Sequence, residues 1–212
     1  MPNATTGDVI AFVQAYAGVV AEHKRELTKL DAAIGDADHG ENLDRGFKAA
    51  LERIPGDDVT PAEVLKAVAM ALVSKVGGAA GPLYGTAFLR AASAVEGHDE
   101  LDTKAIVEAI DAALAGVVQR GKAELEDKTM VDAWSPAADA AKAALERGAD
   151  CAEILADAAN AAQEGMTATI PLVARKGRAS YLGERSAGHQ DPGATSTYYL
   201  FRTLADQAAG SG

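Results

Sequence analysis

The chain has 212 residues, 48% hydrophobic and 24% charged, which is enough apolar material for one large domain and too much for a disordered chain. Lys and Arg number 20 against 31 Asp and Glu, and the net charge of −11 argues against nucleic acid or an anionic membrane as partner. The lone cysteine, Cys151, excludes an internal disulfide framework and a cysteine-based zinc site; with no bilayer-length apolar run, and Asp8 where a basic leader segment would stand, the chain reads as cytoplasmic.

Alanine is abundant and aromatic residues make up only 5%, a composition suited to helices packed closely through small side chains. Val9, Phe12, Val13, Tyr16, Val20 and Leu27 recur at three- and four-residue steps and predict an amphipathic helix over 8–30. A second helix is predicted from about Gly40 to Arg53, ended by Pro55-Gly56-Asp57-Asp58. Thr60-Pro61-Ala62-Glu63 spells a capping box with proline at the first helical position, so a third helix runs from there to about Val76. Gly77-Gly78-Ala79-Ala80-Gly81 interrupts, and Pro82 opens a helix to about Val95. Periodic runs at Thr103–Gln119 and at about 134–147, 151–163 and 196–208 complete the helical set. The stretch 165–175 is ambiguous, because Thr167, Thr169, Ile170 and Val173 also suit a strand.

These segments predict a single all-α domain, an antiparallel bundle of about eight helices. Residues 8–208 form the domain, with 1–7 and 209–212 as flexible ends. Polar and glycine-rich residues concentrate in four connections, 35–42, 77–81, 120–132 and 176–195, where function is expected.

The first connection carries the sharpest chemistry. Asp31 falls in the last turn of the first helix, Gly35 lets the chain turn back, and Asp36 and Asp38, two residues apart, aim their carboxylates to the same side. Three carboxylates held together repel unless a cation joins them, and hard oxygen ligands suit Mg²⁺ or Ca²⁺. An EF-hand is excluded, since Gly40 and Glu41 stand where that loop needs Asp or Asn and then Gly. Magnesium commonly completes its shell with phosphate oxygens, which points to a nucleotide. The competing reading is that Asp38 caps the second helix and the others are simply solvated.

Gly77-Gly78-Ala79-Ala80-Gly81-Pro82 offers free amides at a helix start, the arrangement that receives an anion. Arg175-Lys176-Gly177-Arg178 is a basic cluster in an acidic protein, with Arg178 or Lys176 able to clamp a phosphate. Gly188-His189-Gln190-Asp191-Pro192-Gly193-Ala194-Thr195 ends in a capped helix start suited to wall a base or ribose, with His189 more often a structural partner than a catalyst. Gly116-Val117-Val118-Gln119-Arg120-Gly121-Lys122 has P-loop spacing, but Ala123 replaces the hydroxyl residue and the stretch continues a helix, so it is no Walker motif. On residue type alone, Met130 and Trp134 read as core.

Taken together, Gly35-Asp36-Ala37-Asp38-His39-Gly40, Gly77 to Gly85, Arg120-Gly121-Lys122-Ala123, Asp127-Lys128-Thr129-Met130-Val131-Asp132, Ala174 to Arg185 and Gly188 to Ser196 make the chain resemble the L-subunit family of bacterial dihydroxyacetone kinases over residues 8–208. The resemblance implies an eight-helix antiparallel barrel with a nucleotide, ADP or ATP, and two Mg²⁺ ions at one end. It implies Asp31, Asp36 and Asp38 as magnesium ligands, and nucleotide contacts at His39, Asn42, Ala79, Ala80, Gly121, Met130, Arg178, Asp191, Pro192 and Gly193. It also assigns Arg178 the charge of the transferring group, and turns Met130 from core into a wall of the base site. Two departures stand out: Ala80 replaces a frequent serine, and Ala37 replaces a frequent glycine, a small change if its φ is negative.

The implied function is phosphoryl transfer from Mg-bound ATP, formed from resident ADP by a phosphorylated M subunit of the phosphotransferase system, to dihydroxyacetone on a separate K subunit. The alternatives are an ATP-dependent kinase subunit for another small keto-sugar, such as a tetrulose, and a nucleotide-dependent regulatory binding subunit.

Overall fold

The computed structural model describes residues 3–56 and 58–210; residues 1, 2, 211 and 212 of the expected flexible ends, and Asp57 of the expected chain break, lie outside it. Among the described residues eight α-helices follow one another: α1 (Thr6–Ile34), α2 (His39–Leu51), α3 (Pro61–Lys75), α4 (Ala80–Ala94), α5 (Thr103–Gly121), α6 (Val131–Glu146), α7 (Cys151–Ala168) and α8 (Pro192–Gly210). A short 3₁₀ segment, Arg178–Ser186, lies in the α7–α8 connection.

Local chemistry sets the starts. Thr60 and Glu63 form the expected capping box, and the same reciprocal device opens α1 with Thr5 and Asp8 and α7 with Asp150 and Glu153. Order begins ahead of residue 8, since Ala4 bridges to Leu101 before α1 starts. No strand forms at 165–175. There α7 runs on to Ala168, and its last turns close through the amides of Thr169 and Ile170 onto Met166 and Thr167, so helical hydrogen bonds override β-branched preference. Gly116 to Gly121, the stretch with P-loop spacing, lies inside α5.

Each helix packs on the next and α8 closes on α1, making a closed up-and-down barrel. The close approach of α6 and α7 rests on alanine: Ala137, Ala138, Ala141 and Ala144 face Ala158, Ala159 and Ala162, all buried. An aromatic string, Phe12–Tyr16–Phe47–Phe88, joins α1, α2 and α4, while Trp134 meets Phe201 edge-on with centroids 5.6 Å apart.

Alternation then settles where function can sit. Because successive helices run in opposite directions, the connections α1–α2, α3–α4, α5–α6 and α7–α8 all fall at one end. These are the four polar connections singled out in the sequence. The other end holds an apolar cavity of about 410 Å³, lined among others by Phe12, Phe88, Trp134, Leu155, Phe201 and Leu204. Among the described residues, no helix is long and apolar enough to cross a membrane.

A candidate magnesium–nucleotide site

The α1–α2 connection folds back on Asp31. This buried carboxylate accepts hydrogen bonds from the backbone N–H groups of Asp38 (2.8 Å) and His39 (3.1 Å), which fastens the start of α2 to the end of α1. Gly35 is required at the bend, where a Cβ would lie 2.0 Å from Asp31 Oδ1. Gly40 is required one turn later, where a Cβ would lie 2.1 Å from the Lys24 carbonyl oxygen. In the result, one oxygen from each of Asp31, Asp36 and Asp38 lies within 4.8 Å of the others. Asp38 occupies the N-cap position of α2 but makes no side-chain capping bond, so the plain capping account of this residue fails. An all-oxygen carboxylate set this tight suits a hard divalent cation such as Mg²⁺.

Ala37 departs from its expectation. Its φ is +61°, in the left-handed region, so alanine is strained where glycine would be at ease.

The carboxylates face a cavity of about 180 Å³ whose walls come from all four connections. Gly77, Gly78, Ala79 and Ala80 supply one wall and the N-terminus of α4; Asp191, Pro192 and Gly193 supply another and the N-terminus of α8. Two helix N-termini thus point partial positive charge into one space. Asp191 caps α8 by accepting from the Ala194 N–H at 2.7 Å. Burial pushes its carboxyl up to about 7, against the amides of Ala194 and Gly193 and the charge of Lys128, with Asp132 adding to the rise. Met130, at the N-cap of α6, is 5% exposed and both packs into the core and lines the cavity.

Arg178 reaches in from the 3₁₀ segment, its Nε 2.8 Å from Asp36 Oδ2. A small apolar cluster, Ile34, Ala174, Ala179 and Leu182, seats that segment against the end of α1. Lys176 also lines the mouth. His39 is held by Ser196, with 2.9 Å between Nε2 and Oγ; Ser196 in turn bonds Tyr84 Oη at 2.8 Å, and Tyr16 donates to the Ser196 carbonyl. Burial lowers His39 to about 4, outweighing Asp31 and Asp38, so the imidazole is neutral.

Two of the expected residues stand back from the cavity. Asn42 is buried behind Gly77 and Gly78 and accepts a hydrogen bond from Arg45. Gly121 ends α5 behind Leu83, itself a lining residue. His189 is exposed, and its contribution is a carbonyl rather than an imidazole. Trp134 is core, as read. Sequence reasoning missed Tyr84, Ser196, Leu83 and, in the 122–130 loop, Lys128 and Thr129. The one signal for the last two was the run of charge in Asp127-Lys128-Thr129-Met130-Val131-Asp132.

Known proteins similar to this chain show its family. The DAK2 domain family matches residues 33–206. The ADP-binding subunit DhaL of PEP-dependent dihydroxyacetone kinase from Escherichia coli (strain K12) is 46% identical over 180 residues, covering 84% of this chain and 86% of its own. The ADP-binding subunit DhaL of a PTS-dependent dihydroxyacetone kinase from Lactococcus lactis is 42% identical over 193 residues, covering 90% and 91%. The crystal structure of C. freundii dihydroxyacetone kinase with AMP-PNP and Mg²⁺ superposes with a TM-score of 0.72 at 25% identity, over 97% of this chain and 35% of that one. The chain therefore belongs to the DAK2-domain family, among the DhaL subunits of dihydroxyacetone kinase.

Proposed function

We propose that this chain is the nucleotide-carrying phosphotransferase subunit of a dihydroxyacetone kinase. ADP stays in the polar cavity, a phosphorylated M subunit of the phosphotransferase system recharges it to ATP, and the γ-phosphate passes to dihydroxyacetone held on a separate K subunit. The observation that carries this reading is one cavity lined by three clustered carboxylates, two helix N-termini and Arg178, which pairs with Asp36.

Asp31, Asp36 and Asp38 would hold two Mg²⁺ ions, which supply positive charge against the phosphate oxygens. The chain's own residues do the rest. Backbone amides of Ala79 and Ala80 receive phosphate oxygens; Ala80 brings no hydroxyl, so the contact there is with the main chain. Met130 and the Asp191-Pro192-Gly193 turn wall the base and ribose, with Gly121 and Asn42 backing the lining residues. Neutral His39, fixed by Ser196, orients the α1–α2 turn without adding charge. Arg178, poised on Asp36, stabilises charge on the transferring group. No protein nucleophile is needed, since in phosphoryl transfer catalysis is mostly positioning and electrostatics.

The test is to denature freshly purified protein and identify what is released. Near-stoichiometric ADP with magnesium is the expected result. An empty protein that exchanges ATP freely would make it an ATP-dependent subunit instead, and a protein that binds no nucleotide with Mg²⁺ supplied would overturn the reading.

A further inference from the structure

Lys128 has no part in the reading above, yet its side chain is 1% exposed, and no other lysine among the described residues is buried. Its Nζ donates to the carbonyls of Thr169 (2.6 Å), Leu172 (3.1 Å) and Ile170 (3.4 Å) at the end of α7, and to that of His189 just before α8. An ammonium has three N–H bonds, so four acceptors share three donors. Carbonyl oxygens converging in this way form a cage for a monovalent cation, and here the cation is carried on the chain.

The loop that delivers it is strained. Lys122, Glu126 and Lys128 are non-glycine residues at φ of +51°, +68° and +63°, a conformation that costs about 1–2 kcal/mol each. Neighbouring groups hold it there. Asp132 accepts from the amides of Glu126 and Thr129, Asp127 accepts from the Glu124 amide, and the Asp127 carbonyl accepts from the Arg175 amide at 3.0 Å. The loop thus carries Thr129 and Met130, which line the polar cavity, and is tied to two further stretches that bound it: the Arg175–Arg178 strip and the turn from His189 to Gly193.

We propose that the Lys128 ammonium is the positioning cation of this site, a built-in monovalent ion that clamps the α7–α8 connection to the 122–130 loop and so sets the spacing between Met130 and the Asp191–Gly193 wall. The proposal rests on the nucleotide reading. Loss of a lysine kept for stability alone would lower the melting point and leave the folded protein's affinity untouched. A positioning ion sets affinity, and a free ammonium can replace it.

The experiment first strips wild type and Lys128→Ala of bound nucleotide, then titrates Mg-ADP into each by calorimetry, at a temperature where circular dichroism shows both folded. Lys128→Ala removes the equivalent of propylamine, so each titration is repeated with propylammonium and with tetramethylammonium, which has the same charge and no N–H. Lys128→Ala is expected to bind about 10- to 100-fold more weakly, with propylammonium recovering affinity and tetramethylammonium not. Unchanged affinity in Lys128→Ala, a loss that neither amine restores, or equal recovery with both would overturn the proposal. A wild type that binds no Mg-ADP would remove the nucleotide reading, and this role with it. If Lys128→Ala does not fold, ¹⁵Nζ spectra of lysine-labelled wild type decide. One slowly exchanging ammonium that shifts on adding Mg-ADP is expected; fast exchange at every lysine, or no shift, would overturn it.

Discussion

The two ends of the barrel are made by the same eight helices and are chemically opposite. One end encloses about 410 Å³ lined by aromatic and aliphatic side chains that point inward from helix faces. The other holds about 180 Å³ walled by carboxylates, glycines and main chain from the four connections. At the apolar end, shape comes from side chains repeating along regular helices, so bulk and hydrophobicity are what matter. At the polar end it comes from backbone held in unusual places, by Asp31 under the α1–α2 turn and by Lys128 under the α7–α8 connection. Substitutions at the first end should therefore act on stability, and at the second on ligand affinity.

The largest expected effect belongs to the apolar end. Phe201 is fully buried against Trp134, and Phe201→Ala should cost about 3–5 kcal/mol in urea unfolding. Mg-ADP affinity measured below its transition should stay within about twofold of wild type. A tenfold affinity loss in folded Phe201→Ala would show that the two ends are mechanically coupled and break the comparison.

Next comes Asp191, a polar-end group that does affect stability. Its carboxyl is raised from 3.8 to about 7 in the fold. The native state therefore keeps a proton that the unfolded chain has already lost, and the stability this contributes, full below 3.8, falls as pH rises through 7. Asp191→Asn can still accept the Ala194 N–H and does not titrate. It should gain on wild type by on the order of 3 kcal/mol between pH 4 and pH 8, read from paired denaturation curves. A gap that does not change with pH would mean that the nearby Lys128 charge keeps Asp191 ionised throughout.

Asp38→Asn tests the polar end in the opposite sense. Asp38 makes no capping bond to α2, so the melting temperature should hold while Mg-dependent ADP affinity falls by at least about 100-fold, or 2.7 kcal/mol. Equal ADP affinity with and without Mg²⁺ in wild type would count against the metal assignment before any variant is made.

The two ends also differed in how far the sequence reveals them. Helices and barrel order were readable because apolar periodicity and capping boxes are local signals, and α5 could be read from Ile106, Val107, Ile110, Leu114 and Val117 alone. The aspartate cluster was readable for the same reason, with its three members inside eight residues. Lys128 was not. Its acceptors are main-chain carbonyls between 41 and 61 residues away, and a carbonyl leaves no mark in a sequence. The His39–Ser196–Tyr84 chain spans 157 and 112 residues and was hidden likewise. The strand option at 165–175 arose from reading β-branched residues without the helix that runs on to Ala168 and the turn at Thr169 and Ile170 that closes it.

The smallest effect sits between the clustered carboxylates Asp36 and Asp38. Ala37 holds φ at +61°, and relieving that conformation with glycine should return about 1–2 kcal/mol. Glycine also gives the unfolded chain more freedom, which takes back about 0.5–1 kcal/mol. The first quantity exceeds the second, so Ala37→Gly should stabilise the protein by about 0.5 kcal/mol in urea unfolding, with Mg-ADP affinity within about twofold of wild type. The two readouts divide what a strained turn can mean here. A gain in stability with affinity kept would make Ala37 a plain local cost carried at the polar end. A gain in stability with affinity lost would mean that the alanine stiffens the turn and holds Asp36 and Asp38 at the spacing the cation requires, and the polar end would then depend on side-chain bulk after all, at this one position, as the apolar end does throughout.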